Sequence, residues 1–413
     1  MALIGWIDFS PEHRDRVASV LEMLRPEGVI DELGIGVLRD SLADLMFLGL
    51  NTIQTRAKYF FLVPYTLHEY RRLPLAKRRK TPPEKYLEDR EYEVMWRLAE
   101  KYEHKTGSGV IGITKVRPQK IMRRPSAIYW NGLAVFDLVG HGERGVEAFL
   151  RSCAHAEGPL SADVLTGDDA PGDDRDVDHA NPFMLGLSYQ ENWFEHLTLD
   201  LTQAEAKLLS DRMRLAGRDM LLGALLEDKD LFDAFSQAST FAEFAKLATR
   251  KNMLTRPLLE TVWLAHDFSE LMMGAHITYN SLLQRRISDG SRDGFHEEWL
   301  SWAMSWKSRQ LFEGGFDPNL VLHRAPRVRP HTRKFVLDWW DLVNHDLHNI
   351  RARDALVENQ EFNTKRAKAR LKTGRLEGVR ESKWIGLTRL EYRMPQVKTI
   401  VGDIYIGLKA NHA

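Results

Sequence analysis

Cysteine is almost absent from this 413-residue sequence, where Cys153 stands alone. A single thiol cannot close a disulfide within the chain or build a cysteine-based zinc site. A secreted domain of this size commonly pairs cysteines, whereas a reducing cytosol removes that pressure. Long hydrophobic runs are also missing, since no window approaches the ~18 uninterrupted apolar residues that span a bilayer. Near the start, Asp8 interrupts the apolar stretch too early for a signal-peptide core, and no basic region precedes it. The chain is therefore expected to be soluble and cytoplasmic, without a membrane partner. Neither sign of charge is in excess: 58 basic and 58 acidic side chains balance. That balance excludes a uniformly basic nucleic-acid-binding domain, but not segregated charge.

Catalytic signatures are equally scarce. No G-x-x-x-x-G-K-[ST] phosphate loop occurs, which argues against a P-loop ATPase or motor helicase. H-E-x-x-H, the phospholipase-type H-x-K-x-x-x-x-D and the G-x-S-x-G elbow are all missing. Gly107-Ser-Gly109-Val-Ile-Gly112 has the letters of a dinucleotide fingerprint. It lacks the preceding apolar strand and the following helix that the chemistry requires, and is rejected. Glu205-Ala206-Lys207 and Glu381-Ser382-Lys383 have the letters of a restriction-type nuclease triplet, but the first lies in an expected helix. Asp341, His345 and His348 fall at i, i+4 and i+7 of an expected helix, a face able to offer two imidazoles and a carboxylate to a metal. No fourth ligand is identifiable, so no metal and no cofactor is assigned. His266 with Glu270, and His296 with Glu297 and Glu298, are weaker versions of the same pattern.

What is present is enough to fold. Apolar residues make up 43%, and eleven Trp and eighteen Phe supply bulk that disordered chains lack. Helical signals dominate. Ser10-Pro11-Glu12 starts a helix running to about Leu24. Ile35, Leu38, Leu42 and Leu45 share a helical face. A third helix is expected to open at Ile53, capped by Asn51 or Thr52, with Pro64 ending or kinking it. These three make either a helix-turn-helix unit or a plain bundle. Farther on, helices are expected at Tyr92 to His104, Ser126 to Leu138, after the capping box Thr202-Gln-Ala-Glu205, over Leu221 to Phe235 and Phe241 to Arg250, from Pro257 to Ile287, around Trp299, Trp302 and Trp306, and from Phe335 to Ile350. Gly109 to Gly112 reads as a short strand, and the last element, with Val397, Ile400, Val401 and Ile404, as a helix or strand. The fold class is mainly α and multi-helix, with room for helix-turn-helix or winged-helix-like units and a few short strands. Glu157 to Pro182 is rich in Gly, Pro and Asp and reads as a flexible acidic linker or long loop. The domains are then 1–155, helical and helix-turn-helix-like; the linker, 156–182; and 183–413, helical.

Charge segregation is the most informative signal. Arg71, Arg72, Lys77, Arg78, Arg79 and Lys80 form one cluster, and Lys115, Arg117, Lys120, Arg123 and Arg124 a second without an intervening acid. Arg324, Arg327, Arg329, Arg333 and Lys334 form a third; Lys365, Arg366, Lys368, Arg370, Lys372 and Arg375 a fourth. Converging clusters would displace counterions from a phosphate backbone, while separate ones would be solvated surface neutralised by nearby Glu. The opening of the third helix adds Thr52, Gln54, Arg56 and Lys58, donors suited to phosphates or base edges.

Gly5-Trp6-Ile7-Asp8-Phe9-Ser10, Asp31-Glu32-Leu33-Gly34, Ile35-Gly36-Val37-Leu38-Arg39-Asp40, Thr52-Ile53-Gln54-Thr55-Arg56-Ala57-Lys58-Tyr59-Phe60 and Ser126-Ala127-Ile128-Tyr129-Trp130 resemble an uncharacterised bacterial family, known only as a domain of unknown function. Downstream, Gly274-Ala275-His276 with Tyr279-Asn280, the Arg366 to Arg375 block and Leu390-Glu391-Tyr392-Arg393 resemble it as well, so the resemblance spans nearly the whole chain. Where that family commonly has Trp after the Tyr-Arg pair, this chain has Met394. The resemblance carries no reaction, cofactor or catalytic residue. Its members often lie near helicase-like and phage-defence genes, which implies a defence role.

The expectation is thus a nucleic-acid-binding accessory component of a bacterial anti-phage system, without catalysis of its own. Its partners are DNA or RNA and a protein, the helicase or nuclease of the same system. The contact residues are Thr52, Gln54, Arg56, Lys58, Lys115, Arg117, Lys120, Arg123, Arg124, Arg366 and Arg370. The alternatives are a protein–protein scaffold using the Trp-rich C-terminal half and a cryptic metal-dependent nuclease.

Overall fold

The computed structural model describes residues 31–139, 145–155, 192–288, 294–308, 315–374, 376, 379 and 383–410. Among the described residues every regular element is helical and no strand is present, as expected for a mainly α chain. The helix expected from Ser10, the acidic segment 156–182, Arg375 and Glu381-Ser382 lie outside the described residues. No helix among the described residues is long and apolar enough to cross a membrane.

The chain divides into two compact units, one of residues 1–42 with 260–392 and the other of 43–259 with 393–413. The first boundary falls inside α1 (Gly36–Phe47). The second unit continues with α2 (Tyr59–Arg72), α3 (Leu75–Arg78), α4 (Pro83–Lys101), α5 (Pro125–Val135) and α6 (Val146–His155). It resumes with α7 (Gln203–Ala216), α8 (Leu221–Glu227), α9 (Lys229–Gln237) and α10 (Phe241–Arg250). Residues on both sides of the acidic segment therefore share one unit, where composition places a domain boundary.

Local chemistry explains these elements. Thr202 Oγ1 accepts the Glu205 N–H while the Glu205 carboxylate accepts the Thr202 N–H, so the expected capping box opens α7. Asp228 accepts the Asp230 and Leu231 N–H groups and thereby splits the helix expected over 221–235 into α8 and α9. The third helix begins at Tyr59 rather than Ile53. The Asn51 side chain takes the Ile53 and Gln54 N–H groups, and the Gln54 side chain takes the Asn51 N–H. Side-chain bonds of this kind compete with helical ones. The helix that does form runs through Pro64. Gly109 and Gly112 have φ of +85° and +77°. Left-handed residues cannot extend a strand, so 109–112 is irregular backbone leading into a turn at 111–114 and not the expected strand. A Cβ on Gly109 would lie 2.6 Å from Arg56 Cγ.

The second unit buries Phe60 against Tyr129, edge-on at 4.9 Å, and Phe136 at 5.6 Å. Its last helix, α17 (Met394–Lys409), packs on α7 so closely that a Cβ on Gly407 would meet Ala206 Cβ at 2.7 Å.

The first unit is organised on α11 (Arg256–Ile287), which contains the other unit boundary. Its other helices are α12 (His296–Ser308), α13 (Pro318–Arg324), α14 (Pro330–His345), α15 (Ile350–Lys365) and the single-turn α16 (Arg370–Thr373). The Trp302 and Trp339 indoles donate to the α11 carbonyls of Glu270 and Leu271, each at 2.9 Å. Trp302 reaches the helix because residue 274 is glycine; a Cβ there would lie 2.4 Å from the ring. Residues 385–392 run along α11, with the Ile385 N–H on Asn280, the Leu390 N–H on Ser269 and the Tyr392 hydroxyl on the Ala265 carbonyl. His276 is fully buried in this unit, and neither ring nitrogen has a hydrogen-bond partner among the described residues. Burial pushes its pKa down to about 4.

Candidate nucleic-acid interface

The segment Thr52 to Lys58 is a loop, and most of its polar side chains are committed inside the second unit. Thr52 is exposed, but Gln54 is buried and its amide donates to the Gly49 carbonyl. Arg56 pairs with Asp403 at 2.8 Å, donates to the Ser108 carbonyl and reaches Asp200 at 3.3 Å. Lys58 lies 2.7 Å from both oxygens of Glu205, a carboxylate with no exposed surface that also accepts the Tyr65 hydroxyl at 2.8 Å. Tyr129 completes the arrangement, accepting the Thr55 and Arg56 N–H groups. Gln54, Arg56 and Lys58 therefore hold the fold together at this point. The expectation that they open a helix toward solvent is corrected.

The first two basic clusters share a helix. Tyr70, at the end of α2, packs its ring at a tilt against Tyr86 of α4, centroids 5.3 Å apart, and donates to the Thr81 carbonyl, which anchors 71–80. The loop 115–124 is tied to α4 by Lys120 to Glu88 at 2.9 Å, Arg124 to Glu91 at 3.1 Å and the Tyr92 hydroxyl to the Ile121 carbonyl. Tyr86 and Glu91 are five residues apart, about 7.5 Å along a helix axis at ~1.5 Å per residue and about 140° apart around it. Both segments therefore attach within the first turns of α4. Local titration carries the imprint. Burial and then the adjacent Arg72 and Arg71 hold His68 down to about 4, while the Lys120 hydrogen bond keeps Glu88 below the usual carboxylate range.

Not every cation here is available. Lys120 and Arg124 are paired, and Lys115 is half-buried. Arg117 is exposed and lies over the Trp96 ring at 4.9 Å, and Trp96 stacks on Tyr92. Lys77, Arg79, Lys80 and Arg123 are exposed and enter no ion pair among the described residues. Glu91 is the group that sequence reading missed. It is buried, accepts the Ser126 N–H and hydroxyl at the start of α5, and is pushed up to about 7 by desolvation against the pull of those bonds and of Arg124.

The third and fourth clusters meet in the first unit. His331, in the first turn of α14, is held below its ordinary value by burial and by the Arg329 and Arg366 guanidinium groups. Arg366 is exposed at the end of α15 with φ +54°. Its neighbour Arg370 is half-buried and donates its backbone N–H to Glu361. Lys334 is paired with Asp338, and Lys372 donates to Asn359.

Asp341, His345 and His348 do not come together as one ligand face. Helix α14 ends at His345, which puts His348 on the following turn. There the Lys307 ammonium stands 2.8 Å from His348 Nε2, occupying the ligand atom with a cation, while His345 pairs with Asp341 at 2.9 Å. Both histidines line a recess of about 370 Å³ with Trp306, Val343, Asn344 and Leu347. His266 pairs with Asp267, and Glu270 with Arg389. Among the described residues no group of three or more His, Cys, Asp or Glu is placed to hold a metal.

Residues 1–151 match a family of unknown function (DUF6361). The match takes in the segments up to Trp130 that carry the resemblance and stops short of those from Gly274 onward. No curated protein and no solved structure matches the chain.

Proposed function

We propose that this chain is a nucleic-acid-binding accessory protein whose contact surface is the basic corner formed by 71–80 and 115–124 on α4. One observation carries the reading: two cation-rich segments are anchored along the first turns of one helix, and Lys77, Arg79, Lys80 and Arg123 are exposed there and enter no ion pair among the described residues. Cations so arranged release counterions when a phosphate backbone replaces them. The contact set differs from the one read off the sequence. Lys77, Arg79 and Lys80 join Arg117 and Arg123, while Arg56 and Lys58 leave it because their charges are neutralised internally. Arg366 with Arg329 offers a second basic locus in the other unit. A setting in bacterial phage defence, beside a separate helicase or nuclease, extends this reading and rests on the family resemblance alone.

The test is a fluorescence-anisotropy titration of the full chain against labelled duplex DNA, single-stranded DNA and RNA over a range of salt. Binding should weaken steeply with salt. A variant carrying Lys77→Ala, Arg79→Ala and Lys80→Ala should bind more weakly and with a shallower slope, by about 0.9 in log–log terms per lost phosphate contact. Absence of binding at low salt would end the proposal.

A further inference from the structure

The loop 115–124 exposes more than charge. Met122 is 66% exposed and Val116 is 52% exposed, and each sits between cations, Met122 between Lys120 and Arg123 and Val116 between Lys115 and Arg117. Several bonds brace the loop. The Ile121 carbonyl takes the Tyr92 hydroxyl, and the Ile121 side chain lies near Gly112, where an added Cβ would be 3.0 Å from it. Val116 and Gln119 close a turn with a 2.7 Å backbone bond, and His104 holds the Ile113 carbonyl at 2.8 Å. Lys120 and Arg124 are fixed to Glu88 and Glu91. Ile121 is half-buried against Gly112, whereas Met122 beside it is exposed.

A braced loop that presents a long, flexible thioether next to an exposed arginine has the chemistry of a wedge. Proteins that kink nucleic acid insert such apolar side chains between base steps while adjacent cations hold the phosphates. We infer that Met122 inserts between stacked bases of the bound nucleic acid, with Val116 covering the unstacked edge and Arg117 and Arg123 on the flanking phosphates. This deepens the function proposed above and rests on it. The occupant follows from charge complementarity, because Arg117 and Arg123, next in sequence to Val116 and Met122, are exposed and enter no ion pair among the described residues.

The experiment uses the full chain and a duplex carrying 2-aminopurine, whose fluorescence rises when it is unstacked, with anisotropy read on the same samples. The wild type should raise the 2-aminopurine signal on binding. Met122→Gln keeps the length and the charge, and should bind about tenfold more weakly with an unchanged salt slope and no 2-aminopurine rise. Wild-type binding without a 2-aminopurine rise would overturn the wedge while leaving the nucleic-acid reading intact. So would a Met122→Gln variant that binds and unstacks like the wild type. Failure to bind any nucleic acid, with attachment instead to vesicles containing phosphatidylserine, would overturn both. Circular dichroism of Met122→Gln should match the wild type, since the replaced side chain is solvent-exposed.

Discussion

Glu91 shows how one side chain ties the basic loop to the pH of the medium. Its folded pKa of about 7 lies above the ordinary 4.5, so the folded chain retains a proton that the unfolded chain gives up. The associated stability is fully present below pH 4.5 and is lost as pH rises toward 7. Glu91→Gln removes the titration but keeps an acceptor for the Ser126 N–H. Denaturation midpoints of the two proteins should diverge in favour of the variant across that window, by up to about 3 kcal/mol. Equal pH profiles would refute the assignment.

Lys58 and Glu205 make a different residue-scale claim. Each neutralises the other where neither has appreciable solvent contact. Glu205→Gln preserves the capping box of α7, since Gln serves at that position, but leaves a buried ammonium without its counterion. The expected cost is about 3–5 kcal/mol by urea denaturation. Adding Lys58→Met should recover part of it; a strictly additive double variant would show that the two charges are not coupled.

Among the elements, those with local signals were legible. The limits of α10 follow from the Thr240 cap and the apolar spacing of Phe241, Phe244, Ala245 and Ala248, and the Thr202 box was readable as letters. The start of α2 was not, because Asn51 and Gln54 redirect the backbone through their own side chains. The partners of Arg56 and Lys58 lie 347 and 147 residues away, beyond any local pattern. Density of charge was visible in 115–124, but the carboxylates that take up two of its cations, Glu88 and Glu91, sit on the part of α4 that precedes the helix expected from Tyr92. Packing of α12 on α11 gives an element-scale prediction. Gly274→Ala drives a methyl into the Trp302 ring and should cost about 1–3 kcal/mol, with a shift in tryptophan emission. Unchanged stability and emission would mean that the indole can withdraw at no cost.

For the molecule as a whole, the two units carry opposite responses to acid. In the first, His276 has a folded pKa of about 4 against an ordinary 6.5, so its stability contribution is present above 6.5 and lost as pH falls toward 4. In the second, Glu91 strengthens over much of the same interval. Hydrogen exchange followed at several pH values should show α11 losing protection on acidification relative to α4 and α5. His276→Phe should flatten the loss in α11 alone; parallel changes in both units in the variant would contradict independent titrations.

The seating of α17 on α7 has a consequence for biosynthesis. Gln203 and Leu408, joined by a hydrogen bond, are 205 residues apart, and every residue of 260–392 is translated between them. While the ribosome is making that stretch, the α7 face containing Ala206 and the site where Arg56 meets Asp403 both wait for a helix that has not yet emerged. A nascent chain arrested before Met394 should therefore be cut readily by protease within 43–259, and become resistant once α17 has cleared the exit tunnel.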